Sequence, residues 1–184
     1  MLKETSIGAI EFNSIAQGIL ATDFMLKAAS VENFLSKTLC PGKFITIISG
    51  LVSDVEASIE AGKRVGGRFI VDEFIIRRVH EEVFPALFGI GEIEEIEAVG
   101  VIETYSVSSA ILSADKVLKT ASVKLIEIKM ASGIGGKGVV IFTGSVSDVE
   151  SSIKAGVDKA VYLGEYVSHI IIPRPHGELI KSLL

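Results

Sequence analysis

The sequence predicts an α/β chain of the α+β kind, in which one small domain is written twice. Three observations carry this. LKAASV (26–31) returns 92 positions later as LKTASV (118–123). VSDVEASIEAG (52–62) returns 94 positions later as VSDVESSIKAG (146–156). Each copy, moreover, opens on an alternating segment of β-forming residues, SIGAIEF at 6–12 and AVGVIET at 98–104. A repeat this long, with a small length change between its two matched blocks, marks a duplicated domain rather than a solenoid unit. The 184 residues divide into 1–92 and 93–184.

The elements can be assigned in either copy and checked against the other. The alternating segment is a first strand. A helix follows, capped by Asn13 or Ser14, with Ile15, Ile19, Thr22 and Leu26 at three- and four-residue spacing as its expected buried face. Its partner spans about 106–121. ENFLSKTL (32–39) and KFITIIS (43–49) form a hairpin around the short Cys40, Pro41, Gly42 link. The second copy has the longer, glycine-rich MASGIGGKG (130–138) at that place. Ser53 with Glu56, and Ser147 with Glu150, have the spacing of capping boxes and start the second helices. RFIVDEFII (68–76) and GEYVSHIII (164–172) close each copy as a fourth strand, and FGIGEIEEIE (88–97) is the linker. The order β-α-β-β-α-β in each half is that of a ferredoxin-like sheet with its helices on one face.

Composition narrows the function. Hydrophobic residues make up 48% of the chain and mean hydropathy is +0.51, yet there is no Trp and the apolar runs are short. Small domains bury a limited share of their surface, so the surplus is expected in interfaces between copies. FITIISGLV (44–52) is broken by Thr, Ser and Gly well below bilayer-spanning length, so no membrane span is expected. MLKETSIGAIEF has no charged-then-apolar leader pattern, and a cytosolic location is expected. A net charge of −5 with interspersed signs gives no basic stripe for nucleic acid. The single cysteine, Cys40, excludes an intrachain disulfide.

Few residues form a chemical constellation. GIGGKG lacks the spacing of a phosphate-binding loop and joins two strands, so Gly133, Ile134, Gly135 and Gly136 read as a hairpin loop. His80 and His176 are isolated from other ligands or nucleophiles, which favours structural roles. Glu11 and Glu103 repeat at matching positions, as common packing would require. Nothing in the chain has the pattern of an enzyme's site. Taken alone, Cys40 reads as inert buried filler in preference to a ligand, because free cysteines are usually buried.

The second half, from VGVIET through ASVKLIEI and GSVSDVESSIKAG to HIIIPRPH (169–176), resembles the bacterial microcompartment shell domain from end to end. The first half resembles it more loosely. Arg78 and His80 fall where Arg174 and His176 stand, without the two prolines. The resemblance implies a cytoplasmic bacterial microcompartment shell, and a homotrimer whose six domains imitate a hexameric tile beside other shell proteins. It also implies a tile edge carrying Lys27, Lys119 and Arg174. SKTLCPGKF (36–44) with GIGGKG further resembles tandem shell proteins of propanediol utilisation whose central pore carries an iron-sulfur cluster. That implies a pore lined by Pro41, Gly42, Lys43 and the 133–136 loop, with Cys40 as metal ligand.

One cysteine per chain cannot hold a [4Fe-4S] cluster, which ordinarily takes four thiolates. A cyclic trimer, however, presents every residue near its axis three times. A cubane also has a three-fold axis, so three Cys40 thiolates can bind three irons and leave the fourth to a non-protein ligand, one cluster per trimer. Pro41 fixes its own φ, and Gly42 permits a turn. Three thiolates and a water would suit zinc equally. A plain small-molecule pore and a ferredoxin-like ligand sensor are the remaining readings.

Overall fold

A computed structural model describes residues 5–90 and 95–183. The chain forms two compact units, Met1–Val79 and His80–Leu184. The boundary expected between 92 and 93, the first four residues and the centre of the expected 88–97 linker lie outside the described residues.

The first unit runs β1 (Ser6–Phe12), α1 (Ile15–Ala28), β2 (Glu32–Leu39), β3 (Lys43–Gly50), α2 (Val52–Gly66) and β4 (Ile70–Ile76). Its antiparallel sheet has the order β2-β3-β1-β4, as a ferredoxin-like unit requires. Even-numbered residues of β1 face the helices. A β carbon on Gly8 would strike Val55 and Ile59 of α2, and one on Gly62 would strike Ile10 and Met25. Ile10, Phe12, Met25, Phe44 and Ile59 lie together in that core.

Three expectations for this unit are corrected. The buried face of α1 is Gly18, Ala21, Thr22 and Met25, whereas Ile15, Ile19 and Leu26 are exposed. Small residues let α1 approach the sheet closely: a β carbon on Gly18 would lie 2.6 Å from Phe44 Cδ1. The larger apolar side chains are thereby turned outward. Ser53 caps nothing, because α2 begins at Val52 after Leu51, which has no capping side chain. β4 starts at Ile70 rather than Arg68, since Gly67, with φ +50, ends α2 and a 3-10 turn uses Gly67–Phe69. Ser14 is the α1 cap, its Oγ accepting from Gln17 N at 3.3 Å.

The second unit opens with a short helix, α3 (Val83–Ala86), which the sequence pattern did not reveal. It continues as β5 (Ala98–Thr104), α4 (Val107–Leu118), β6 (Val123–Met130), β7 (Gly138–Gly144), α5 (Val146–Tyr162) and β8 (Tyr166–Pro173), and then α6 (Gly177–Leu183), also unforeseen. The sheet order β6-β7-β5-β8 repeats that of the first unit. The bulges repeat too, at Asn33/Leu35 and Leu125/Glu127, and at Glu11/Phe12 and Glu103/Thr104. The expected box of Ser147 and Glu150 is displaced by two residues. Ser145 is the cap, accepting from Asp148 N at 3.2 Å and donating to Asp148 Oδ2 at 2.7 Å. β8 begins at Tyr166 rather than Gly164, whose φ of +74 serves the turn after α5.

Candidate functional site

The β2–β3 turn carries the cysteine. Leu39 and Lys43 are the closing register pair, and buried Leu39 and Phe44 fix both strands to the unit. Cys40, Pro41 and Gly42 project between them. The Cys40–Pro41 peptide is cis, and Gly42 has φ +81, a conformation that favours glycine. A β carbon on Gly42 would meet nothing within 4 Å, so the tip stands in open space. Cys40 is a free, exposed thiol.

Lys43 opens β3, and its Nζ donates to Glu11 Oε1 at 2.8 Å, across to the neighbouring strand β1. Glu11 is fully buried there. In the second unit Lys137 Nζ donates to Glu103 Oε1 at the same 2.8 Å, and Ser168 Oγ donates to Glu103 Oε2 at 3.0 Å. The Lys137 bond, then the Ser168 bond, hold the Glu103 carboxyl below its ordinary range, and the Glu103 bond raises Lys137. The link above Lys137 turns on left-handed residues, with φ +49 at Ala131, +74 at Gly133, +67 at Gly135 and +89 at Gly136. Ile134 lies between them, its carbonyl accepting from Lys137 N at 3.4 Å. Sequence reading treated the two carboxylates as common packing and missed the pairing. Part of the signal was present, since Glu11/Glu103 and Lys43/Lys137 repeat with opposite charges in the two copies, but their pairing depends on the first and third strands lying side by side.

The remaining candidates lie elsewhere. Lys27 Nζ binds Asp23 Oδ2 and Lys119 Nζ binds Asp115 Oδ2, both at 2.6 Å one helical turn apart. Arg174 and Arg78 share a left-handed backbone, φ +50 and +51, and Arg174 N donates to Glu97 O at 2.9 Å. The His80 and His176 Nδ1 atoms each accept from the amide two residues on, the structural role expected for them.

Among the described residues no three His, Cys, Asp or Glu side chains come together as a metal site. Cys40 is the one thiol, and a [4Fe-4S] cluster, which ordinarily takes four thiolates, fits these residues only with donors from outside the chain. No helix among the described residues is long and apolar enough to cross a membrane.

Comparison with known proteins agrees with the duplicated architecture. The family model described as the BMC domain matches twice, over residues 6–79 and 98–175. The chain is 38% identical to the bacterial microcompartment shell protein PduT of Citrobacter freundii, over 97% of each chain. A crystal structure of a microcompartment protein from Desulfitobacterium hafniense DCB superposes with a TM-score of 0.89 at 45% identity, covering 96% of this chain and 98% of that one. A fused, permuted hexameric shell protein of the RMM microcompartment shares the fold, with a TM-score of 0.66 at 24% identity over 87% and 85% of the two chains. With both halves matched and full-length relatives on either measure, the chain belongs to the bacterial microcompartment shell proteins that carry two BMC domains in tandem.

Proposed function

We propose that this shell protein forms a homotrimeric, pseudo-hexagonal tile whose central pore holds one [4Fe-4S] cluster through three Cys40 thiolates. The observation that carries the reading is a free, exposed cysteine at the tip of an open turn, with no second metal-binding donor cluster among the described residues of its own chain. A donor set completed by symmetry follows from one ligand per copy. The cluster, when bound, supplies one-electron redox chemistry at a channel through the shell, and the proposed role is electron transfer across it. The chain's own residues position the thiol. Gly42 lets the backbone turn, Leu39 and Phe44 anchor the strands, and the Lys43 ammonium is engaged by Glu11. The glycine-rich 133–136 loop is the pore-facing counterpart of the turn in the second domain. Lys27, Lys119 and Arg174 are proposed to line the edge where tiles meet other shell proteins in the bacterial cytoplasm. Iron and sulfide analysis of anaerobically purified protein, beside Cys40→Ser, tests the pore, and sedimentation tests the trimer.

A further inference from the structure

The segments that end the two copies are one piece of structure in two surroundings. HEEVFPAL (80–87) corresponds to HGELIKSL (176–183). In both, histidine Nδ1 accepts from the amide two residues on, Glu82 N at 3.3 Å and Glu178 N at 3.2 Å, and a short helix follows. Within the second unit, 80–87 is docked on α4 and β6. His80 N donates to Asp115 Oδ1 at 2.9 Å, Leu125 N donates to Glu82 Oε2 at 3.2 Å, and Val83, Phe84 and Leu87 are buried. In α6 the counterparts of Glu82 and Val83, Glu178 and Leu179, are exposed. Leu179 is 37% exposed, and Glu178 holds exposed Lys181.

The surface on which 80–87 sits recurs, open, in the first unit. Asp23 stands where Asp115 stands, with the same lysine one turn on, and among the described residues that lysine is its one partner. Asn33 occupies the place of Leu125 beside the same bulge. Ile19 of α1 is 56% exposed, whereas its counterpart Ile111 of α4 is fully buried. An apolar helix face left open, and a terminal helix with an apolar residue left open, are thus both present in one chain. They are complementary because a docked version of the pair exists in the same molecule.

We propose that 176–183 of one copy docks on α1 and β2 of another, His176 N donating to the Asp23 carboxylate and Glu178 accepting from Asn33 N. Leu179 then covers the apolar α1 face, and Glu178 exchanges an exposed pair with Lys181 for the backbone amide. This rests on the trimer reading above and names the surfaces through which its copies join. A contact of this head-to-tail kind closes a ring when repeated by rotation.

The test combines sedimentation velocity with amide hydrogen exchange on the full chain. Exchange over 19–33 should slow as protein concentration rises and trimer forms. Leu179→Asp, at an exposed position, should abolish that protection and weaken trimer association roughly tenfold or more. Asp23→Ala should act in the same direction if Leu179→Asp disturbs folding, with unchanged exchange over β3 showing an intact unit. A trimer in which 19–33 exchanges identically in wild type and both variants overturns the docking and leaves the trimer. A chain that stays monomeric at all concentrations overturns the trimer reading itself, and the docking with it.

Discussion

Lys43 Nζ lies 2.8 Å from Glu11 Oε1, and the Glu11 side chain is fully enclosed while that of Lys43 reaches solvent in part. The pair ties β3, at the residue where the cysteine turn ends, to the central strand β1. Losing the lysine would leave a buried carboxylate without its cation, which costs several kcal/mol at fully buried sites and less where water can enter. Lys43→Met is therefore expected to lower stability by about 2–3 kcal/mol, read by urea unfolding at fixed protein concentration. A change near zero would mean that Glu11 is held by its other contacts.

The corresponding pair in the second unit titrates in a defined direction. Glu103 is held below its ordinary range first by Lys137 and then by Ser168, so its contribution is complete above the ordinary carboxylate range and is lost as pH falls through the lowered value. Lys137 is raised, so its contribution is complete below the ordinary lysine range and is lost as pH rises through the raised value. Carboxyl-carbon NMR of Glu103 should show the depressed titration in wild type. Lys137→Met should move it up, and Ser168→Ala should move it up by less. An unchanged midpoint in Lys137→Met would contradict the pairing.

Gly18 and Phe44 reverse their sizes in the second unit, where Ala110 faces Gly138 with a hypothetical β carbon at 2.5 Å. Gly18→Ala would gain about 1 kcal/mol in helix propensity. It would also force a methyl against Phe44 Cδ1 at 2.6 Å and Cβ at 2.9 Å, and Cβ cannot swing aside. Overpacking of this kind costs typically about 1–3 kcal/mol, so a net loss of about 1 kcal/mol is expected in thermal or urea unfolding. A more stable variant would show that α1 shifts freely.

The strands and their order were legible because strict alternation and an internal repeat constrain them twice. The face of α1 was not. Ile15, Ile19 and Leu26 have core-like spacing, but Gly18 and Ala21 decide the approach, and an interface between copies has the same apolar pattern as a core. The caps of α2 and α5 were misplaced because V-S-D-V-E repeats as a block, while the cap at Ser145 lies just before it and is replaced by Leu51 in the other copy. α3 and α6 are too short to show a period. For the site, Cys40 stood out as the one cysteine, on a short link that the second copy replaces with a longer glycine-rich one, whereas the Glu11–Lys43 tie required knowing that β1 and β3 are neighbours.

Lys119→Ala should weaken the meeting of tiles while leaving each tile intact. Lys119 is partly exposed, and an exposed contact made by such a lysine to another tile contributes at most about 1 kcal/mol singly. Repetition around a tile multiplies the effect. Electron microscopy of two-dimensional sheets should show reduced order, with an unchanged sedimentation coefficient for the tile. Loss of the tile itself would contradict an edge role.

The central claim is a metal group shared by three copies through Cys40, and iron and acid-labile sulfide measured on anaerobically purified protein test it most directly. Four irons and four sulfides per trimer are expected in wild type. Almost none is expected in Cys40→Ser, because a serine oxygen is a harder and poorer iron ligand, while the trimer persists. Iron absent after anaerobic reconstitution of the wild-type trimer, or equal in Cys40→Ser, would contradict the account and leave a plain pore.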